Sequence, residues 1–128
     1  MIRTVRPVIV TTVLLALSCA ANGMSLGEKL FGVTCIGCHS MSCNRSGPRL
    51  KDLFGRKAGA VEDFKGYSDA LKKSGIIWSE QSLDEFLSDP GKMVPGTAMS
   101  IVSVKNATER QAIIAFIKTQ DTSIDLCF

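Results

Sequence analysis

Cys35-Ile36-Gly37-Cys38-His39 is the most informative run of residues in this chain of 128. A C-x-x-C-H run is the attachment pattern of a c-type haem. Two cysteines three positions apart lie on one side of a helical turn, so both thiols can bond the two vinyl-derived carbons of one porphyrin. The next residue, His39, then lies beneath the ring and can ligate the iron. The run predicts one covalently bound haem c per chain and leaves the second iron ligand to be found.

Two other kinds of site also use parts of this run. A redox dithiol uses C-x-x-C, and a neighbouring histidine can lower the thiol pKa there. A zinc site could recruit Cys43 beside Cys35, Cys38 and His39, but no second C-x-x-C or histidine pair follows at the usual spacing. His39 is the only histidine in the chain, so no other imidazole could complete the zinc site. We therefore favour the haem.

The first 23 residues have the layout of a secretory signal peptide. Arg3 and Arg6 form a short basic start, residues 8–21 are mostly apolar, and small residues close the segment. The apolar stretch is shorter than the ~20 residues that a membrane span needs. We predict a signal peptide over residues 1–23 with an uncertain cleavage site, and a retained anchor is the alternative. Haem attachment fits export to an oxidising compartment, which would be the periplasm if the source is bacterial.

Residues 24–128 are predicted to form one small domain. Without Arg3 and Arg6 the chain has 13 Lys and Arg against 12 Asp and Glu, a net charge of +1. This near-neutral charge argues against nucleic-acid binding, which needs a strongly basic surface. A domain of this size buries only a modest core, so a bound haem would supply part of the apolar centre.

The sequence pattern predicts an all-α fold with long loops, and no run alternates in the way that a strand requires. Helix boundaries are marked by capping and breaking residues, where Ser25 with Glu28 forms a capping-box pattern. The boundary pairs are Ser25 and Cys35, Ser68 and Gly75, Ser79 and Pro90, while Asn106 or Thr108 begins the last helix. Loops of this length are unusual in a plain helix bundle but natural when they wrap a cofactor.

Methionine is the expected partner of histidine in an electron-transferring c-type haem. Met24 is at the new terminus, and Met41 is too near His39 to reach the opposite ring face. Met93 and Met99 lie far enough along the chain to cross. Met99 ends the turn-rich run 95–99, which can present one side chain inward, although either methionine could instead fill a gap in the core.

Several further motifs occur in a characteristic order along the chain. They are Gly27 and Phe31, then Cys35-x-x-Cys38-His39, Gly47-Pro48-x-Leu50, Leu53-Phe54-Gly55-Arg56-Lys57-Ala58-Gly59, Tyr67, Trp78, Pro95-Gly96-Thr97-x-Met99 and Thr108-Glu109-Arg110. In this order they resemble a small class I cytochrome c of the mitochondrial and bacterial c2 type. The similarity covers residues 26–118.

The resemblance implies the class I cytochrome c fold and a role for each matching residue. Cys35 and Cys38 would form the thioether bonds, and His39 and Met99 would be the axial iron ligands. The carbonyl of Pro48 would accept a hydrogen bond from His39. The residues implied as hydrogen-bond donors near the haem propionates are Arg56, Tyr67, Trp78 and Thr97. Gly27 and Phe31 would meet the last helix near Phe116.

The function that follows is a soluble electron-transfer protein and not an enzyme. Two protein ligands fill both axial sites, so the iron can only change its oxidation state. We expect a monomer that docks transiently with redox protein complexes, including complexes in membranes, and no nucleic-acid partner. Candidate contacts for an acidic partner are Lys29, Lys51, Lys92 and Lys105. The alternative function is a haem-based peroxidase or small-gas sensor, which would require Met99 to be labile.

Cys43 and Cys127 are predicted to form a disulfide. Cys19 leaves with the signal peptide, and Cys35 and Cys38 hold the haem, so two cysteines remain. An even remainder in an oxidising compartment favours pairing. The alternative is two unpaired thiols, with Cys127 near a frayed terminus.

Overall fold

A computed structural model describes residues 23–120, and these residues form a helical domain. Its five helices are α1 (Leu26–Thr34), α2 (Asp69–Lys73), α3 (Glu80–Ser88), α4 (Pro90–Met93) and α5 (Ala107–Gln120). Within residues 23–120 the only β-type pairing is an isolated antiparallel bridge between Lys57 and Ile77. The prediction of an all-α fold with long loops is confirmed.

Serine side chains begin three of the helices where the sequence predicts them. Each serine oxygen accepts a hydrogen bond from a backbone N–H three residues later, which satisfies a donor that has no partner within the helix. The pairs are Ser25 with Glu28, Ser68 with Leu71, and Ser79 with Ser82. The full capping box forms at Ser79, where Ser82 returns the hydrogen bond. At Ser25 the structure shows the serine half of the predicted box.

Pro90 ends one helix and begins another. Helix α3 stops at Ser88, as predicted, but Pro90 then occupies the first position of α4, where its missing N–H costs no hydrogen bond. Asp89 caps this short helix by accepting from the backbone N–H of Lys92. The sequence did not predict α4.

Asn106 caps the last helix. Its side-chain oxygen accepts from the backbone N–H groups of Thr108 at 2.9 Å and Glu109 at 3.3 Å. The choice between Asn106 and Thr108 as the start of α5 is therefore resolved in favour of Asn106.

Helices α1 and α5 cross at Gly27. A Cβ atom at this position would lie 2.1 Å from the carbonyl oxygen of Ala112, so only glycine lets the two backbones approach this closely. One turn further on, the Phe31 and Phe116 rings pack with centroids 5.3 Å apart. The contact that the family resemblance implies between Gly27, Phe31 and the last helix is present.

The core lies where α1, α3 and α5 meet, and the loops cover the rest of it. Its buried side chains include Phe31, Leu53, Trp78, Leu83, Phe86, Leu87, Val104, Ile113, Ile114 and Ile117. None of the helices in the described part of the chain is long and apolar enough to cross a membrane. The predicted signal peptide, apart from residue 23, and Cys127 lie outside the described residues.

Candidate haem site

A cavity of about 310 Å³ runs along the core and opens to solvent. Cys35, Cys38 and His39 line it, and so does Met99, which follows His39 by 60 positions in the sequence. Met93 instead lines a separate surface pocket, with Ala70 and neighbouring residues. The structure therefore brings Met99, and not Met93, together with the C-x-x-C-H run.

The imidazole of His39 is held by a backbone carbonyl. Its Nδ1 atom lies 2.8 Å from the Pro48 oxygen, which is the contact that the family resemblance implies. Nδ1 therefore carries the proton and donates, and Nε2 is left as the nitrogen that can ligate a metal. Burial lowers the pKa of His39, and the Pro48 hydrogen bond opposes this effect only in part. The lowered pKa favours the neutral imidazole, which is the form that can ligate a metal. Gly47 makes room for the ring, because a Cβ there would lie 2.5 Å from its Cε1 atom.

The two cysteines follow α1 on a tight turn. The backbone N–H groups of Cys38 and His39 donate to the Cys35 carbonyl at 3.1 and 2.9 Å, which continues the helical turn. Neither cysteine forms a disulfide. Burial, and then the neighbouring Cys38, raise the pKa of the Cys35 thiol to about 11. A redox dithiol depends on a lowered thiol pKa, so this environment does not favour that alternative.

The zinc alternative also finds no support in the geometry. Among residues 23–120 no group of three or more His, Cys, Asp or Glu side chains is placed to hold a metal ion. Cys43 therefore does not join Cys35, Cys38 and His39 in a closed ligand set.

Most of the cavity wall is apolar. Its lining includes Leu50, Leu53, Phe64, Leu71, Leu83, Phe86, Leu87, Val104, Ile113 and Ile117. Trp78 lies among them and meets Phe86 edge to face, with ring centroids 5.2 Å apart. An apolar cavity with two thiols, one imidazole and one thioether at its wall suits a flat apolar macrocycle that carries a metal. When haem is bound there, it supplies a metal centre that accepts and releases one electron.

Three of the four predicted propionate donors line the cavity, namely Tyr67, Trp78 and Thr97. Thr97 is buried, and its hydroxyl oxygen accepts from the Met99 backbone N–H at 3.4 Å, so it also shapes the turn that carries Met99. Arg56 is not part of the lining. Its guanidinium donates to the backbone carbonyls of Lys51 at 2.8 Å and Arg49 at 2.9 Å. A propionate contact for any of these residues stays a prediction.

Phe64 also lines the cavity, and no sequence pattern selects it. Its ring meets the Tyr67 ring edge to face, with centroids 4.8 Å apart. The available signal was an aromatic residue three positions before Tyr67. Leu50 and Leu53 also line the cavity, although the sequence marks them only as members of motifs.

The fold and the site together define an all-α domain built around a covalently bound haem c. Comparison with known proteins gives the same class. The family model described as cytochrome c matches residues 24–121. A cytochrome c2 of Blastochloris viridis is 42% identical over 102 residues, which cover 77% of this chain and 79% of the relative. A cytochrome c of Gibberella zeae is 39% identical over 102 residues, which cover 77% and 95%.

A solved structure shows the same architecture. Cytochrome cH from Methylobacterium extorquens superposes with a TM-score of 0.69 at 44% sequence identity, covering 73% of this chain and 95% of that one. The chain therefore belongs to the cytochrome c family. The predicted class I cytochrome c fold and the single covalent haem c are confirmed by this membership, and the protein is an electron-transfer haem protein.

Proposed function

We propose that the protein transfers single electrons between redox partners on a haem bonded to Cys35 and Cys38 and ligated by His39 and Met99. The observation that carries this assignment is the lining of one cavity by all four side chains. With His39 and Met99 both holding the iron, no ligand position would be left open for a substrate. A histidine and methionine pair also favours the reduced state more than two histidines do, which suits an electron carrier.

The mouth of the cavity supports a route for the electron. Ile101 contributes to the cavity lining, yet 89% of its surface is exposed. The cavity therefore reaches the protein surface two residues after Met99. An edge of the cofactor at this place would be close enough to a docked partner for transfer through the ring edge.

We further propose that the protein is not an enzyme. The relatives named above are cytochromes, and no observation on the described residues favours a peroxidase or gas sensor with a labile Met99. The absorption spectrum of the oxidised protein tests this proposal, because a sulfur ligand on ferric haem gives a weak far-red band. A spectrum without that band, together with rapid CO binding to the reduced wild type, would support the alternative.

Two matched methionine variants test the ligand assignment. Met99→Ala should keep its covalent haem but open one axial position, so that the reduced variant binds CO rapidly. Met93→Ala removes the same side chain from a different pocket and should bind CO as poorly as the wild type. If Met93→Ala alone opens the iron, Met93 is the ligand and the assignment of Met99 is wrong.

We propose that the protein is exported, to the periplasm if the source is bacterial, and acts as a monomer that docks transiently with redox complexes. Lys29 and Lys92 are exposed, whereas Lys51 is half-buried and Lys105 forms an ion pair with Asp89 at 3.2 Å. With a net charge near zero, steering would depend on a local patch of lysines rather than on the total charge. The mass of the secreted protein and its elution volume would test cleavage and oligomeric state.

We also propose the disulfide between Cys43 and Cys127. It is supported by the contrast between Cys43, which is disulfide-bonded, and Cys35 and Cys38, which form no disulfide and so remain available for the haem. The bond would close a long loop and stabilise the fold by roughly 4 kcal/mol in the chain-entropy treatment. Thiol titration of the denatured, unreduced haem protein should find close to zero reactive thiols. About two thiols per haem would contradict the pairing.

A further inference from the structure

One peptide group connects Asn44 to His39. The carbonyl oxygen of Pro48 accepts from His39 Nδ1 at 2.8 Å, and the N–H of the same peptide group, which belongs to Arg49, donates to Asn44 Oδ1 at 3.0 Å. Both ends of this planar amide are therefore engaged at once. We propose that Asn44 is a positioning residue for His39 and acts through this peptide group. The proposal rests on the function proposed above, in which His39 ligates the iron.

The physical effect of Asn44 has two parts. A peptide group is rigid and planar, so a hydrogen bond that holds its N–H also sets the direction of its C=O. Hydrogen bonds in a chain polarise one another, so donation to Asn44 makes the Pro48 oxygen a stronger acceptor for His39. A stronger Nδ1 hydrogen bond raises the basicity of the other ring nitrogen, Nε2, as groups behind a metal ligand do. Asn44 thus strengthens electron donation from His39 to the iron.

The surroundings hold Asn44 and the peptide group in place. Arg49 is fixed by its own side chain, which forms an ion pair with Asp63, and by its carbonyl, which accepts from Arg56 at 2.9 Å. Hydrogen bonding from Arg49, and to a smaller extent from the Asn44 side chain, lowers the pKa of Asp63. The Asn44 amide oxygen faces the Arg49 N–H and accepts from it. The opposite orientation would set the amide nitrogen of Asn44 against another donor.

The contacts join two loops at the site. Asn44 and Arg49 belong to the loop that carries Pro48, and Asp63 belongs to the loop that leads to Tyr67. Because the bonding atom of Asn44 is uncharged, its removal changes the His39 hydrogen bond without placing or removing a charge near the haem. Arg49 and Asp63 are less suitable for the test, because both are charged. Substituting either one would change the reduction potential of the haem electrostatically, whatever the peptide group does.

The test uses the haem-loaded protein and the variants Asn44→Ala, Asn44→Leu and Asn106→Ala. Asn106 is the matched control, because its side-chain oxygen also accepts from backbone N–H groups but does so at the start of α5. The first readout is the proton NMR shift of the His39 Nδ1–H in the reduced state, and the second is the midpoint reduction potential. We expect Asn44→Ala to move the Nδ1–H resonance upfield and to raise the potential. Asn106→Ala should change neither value.

Asn44→Leu removes the acceptor at nearly the same side-chain volume and adds no charge, so the Nδ1–H resonance should move upfield, as in Asn44→Ala. A role limited to filling space would leave the resonance unchanged in this variant. If Asn44→Ala folds with an unchanged Nδ1–H resonance, the proposal is wrong. If Asn44→Ala does not fold, the leucine variant decides, and an unchanged or downfield resonance there overturns the proposal. The ligand assignment itself is tested separately in the wild type. It is wrong if the wild type shows no low-spin haem spectrum, or if its His39 proton resonances show no ring-current shift.

Discussion

Replacing Gly27 by alanine tests how closely α1 and α5 must approach. The added Cβ would lie 2.1 Å from the Ala112 carbonyl oxygen and 2.8 Å from the Phe116 Cβ. Backbone atoms cannot rotate away as a flexible side chain can, so the helices must separate by about 1 Å. Overpacking of this kind costs up to about 3 kcal/mol. Alanine returns about 1 kcal/mol through its better helix propensity. We expect a net loss of about 2 kcal/mol in the free energy of unfolding, or roughly 10 °C in Tm.

Gly32 provides a matched control in the same helix. A Cβ at Gly32 meets no atom within 4 Å, so Gly32→Ala has the propensity gain without the clash. It should stabilise the protein by about 0.5–1 kcal/mol. Guanidinium unfolding followed by far-UV circular dichroism measures both variants against the wild type. Equal stability of Gly27→Ala and the wild type, or a loss in both variants, would refute the close-approach argument.

Two further sets of substitutions test the site and the fold. Cys35→Ser and Cys38→Ser should each reduce haem attachment, and the double variant should show no haem staining on a denaturing gel; full staining of the double variant would refute attachment here. Asp84→Asn should destabilise the protein by about 1 kcal/mol at neutral pH, because Arg110 donates to Asp84 at 2.8 Å and lowers its pKa. Because the pKa of Asp84 is lower in the folded state, its ion pair stabilises the protein at any pH above the pKa of the unfolded state. That stabilisation is lost as the pH falls through the pKa of the folded state. The difference from wild type should therefore shrink towards pH 3, and the exposed Asp69→Asn should show a smaller effect at neutral pH; a constant Asp84 difference across this range would contradict the assignment.

Helix starts could be predicted from the sequence because capping is a local interaction. Ser25, Ser68 and Ser79 need only a backbone N–H three residues away, so the pattern survives without knowledge of the fold. Helix α4 was missed because four residues cannot show a helical period. The sequence also does not predict the bridge between Lys57 and Ile77, because these residues are 20 positions apart and only the folded chain brings them together.

The same distinction applies to the site. Cys35, Cys38 and His39 are adjacent in the chain, and their chemistry follows from spacing alone. Spacing could not separate Met93 from Met99, because both lie far from the run. The structure separates them by the turn after α4, which leaves Met93 at a surface pocket and carries Met99 to the cavity. The hydrogen-bonding partners of Arg56 were likewise not predictable, since they are set by how its own loop folds back.

The overlap between core and cavity wall has a consequence for the chain without haem. Leu83, Phe86, Leu87, Ile113 and Ile117 are at once buried core residues and part of the cavity lining. The side chains that would drive collapse of the chain are the same ones that must receive the cofactor. The haem therefore acts as part of the core. The chain without it should keep an unfilled cavity of about 310 Å³, and should unfold and be cleaved by proteases more readily than the haem protein.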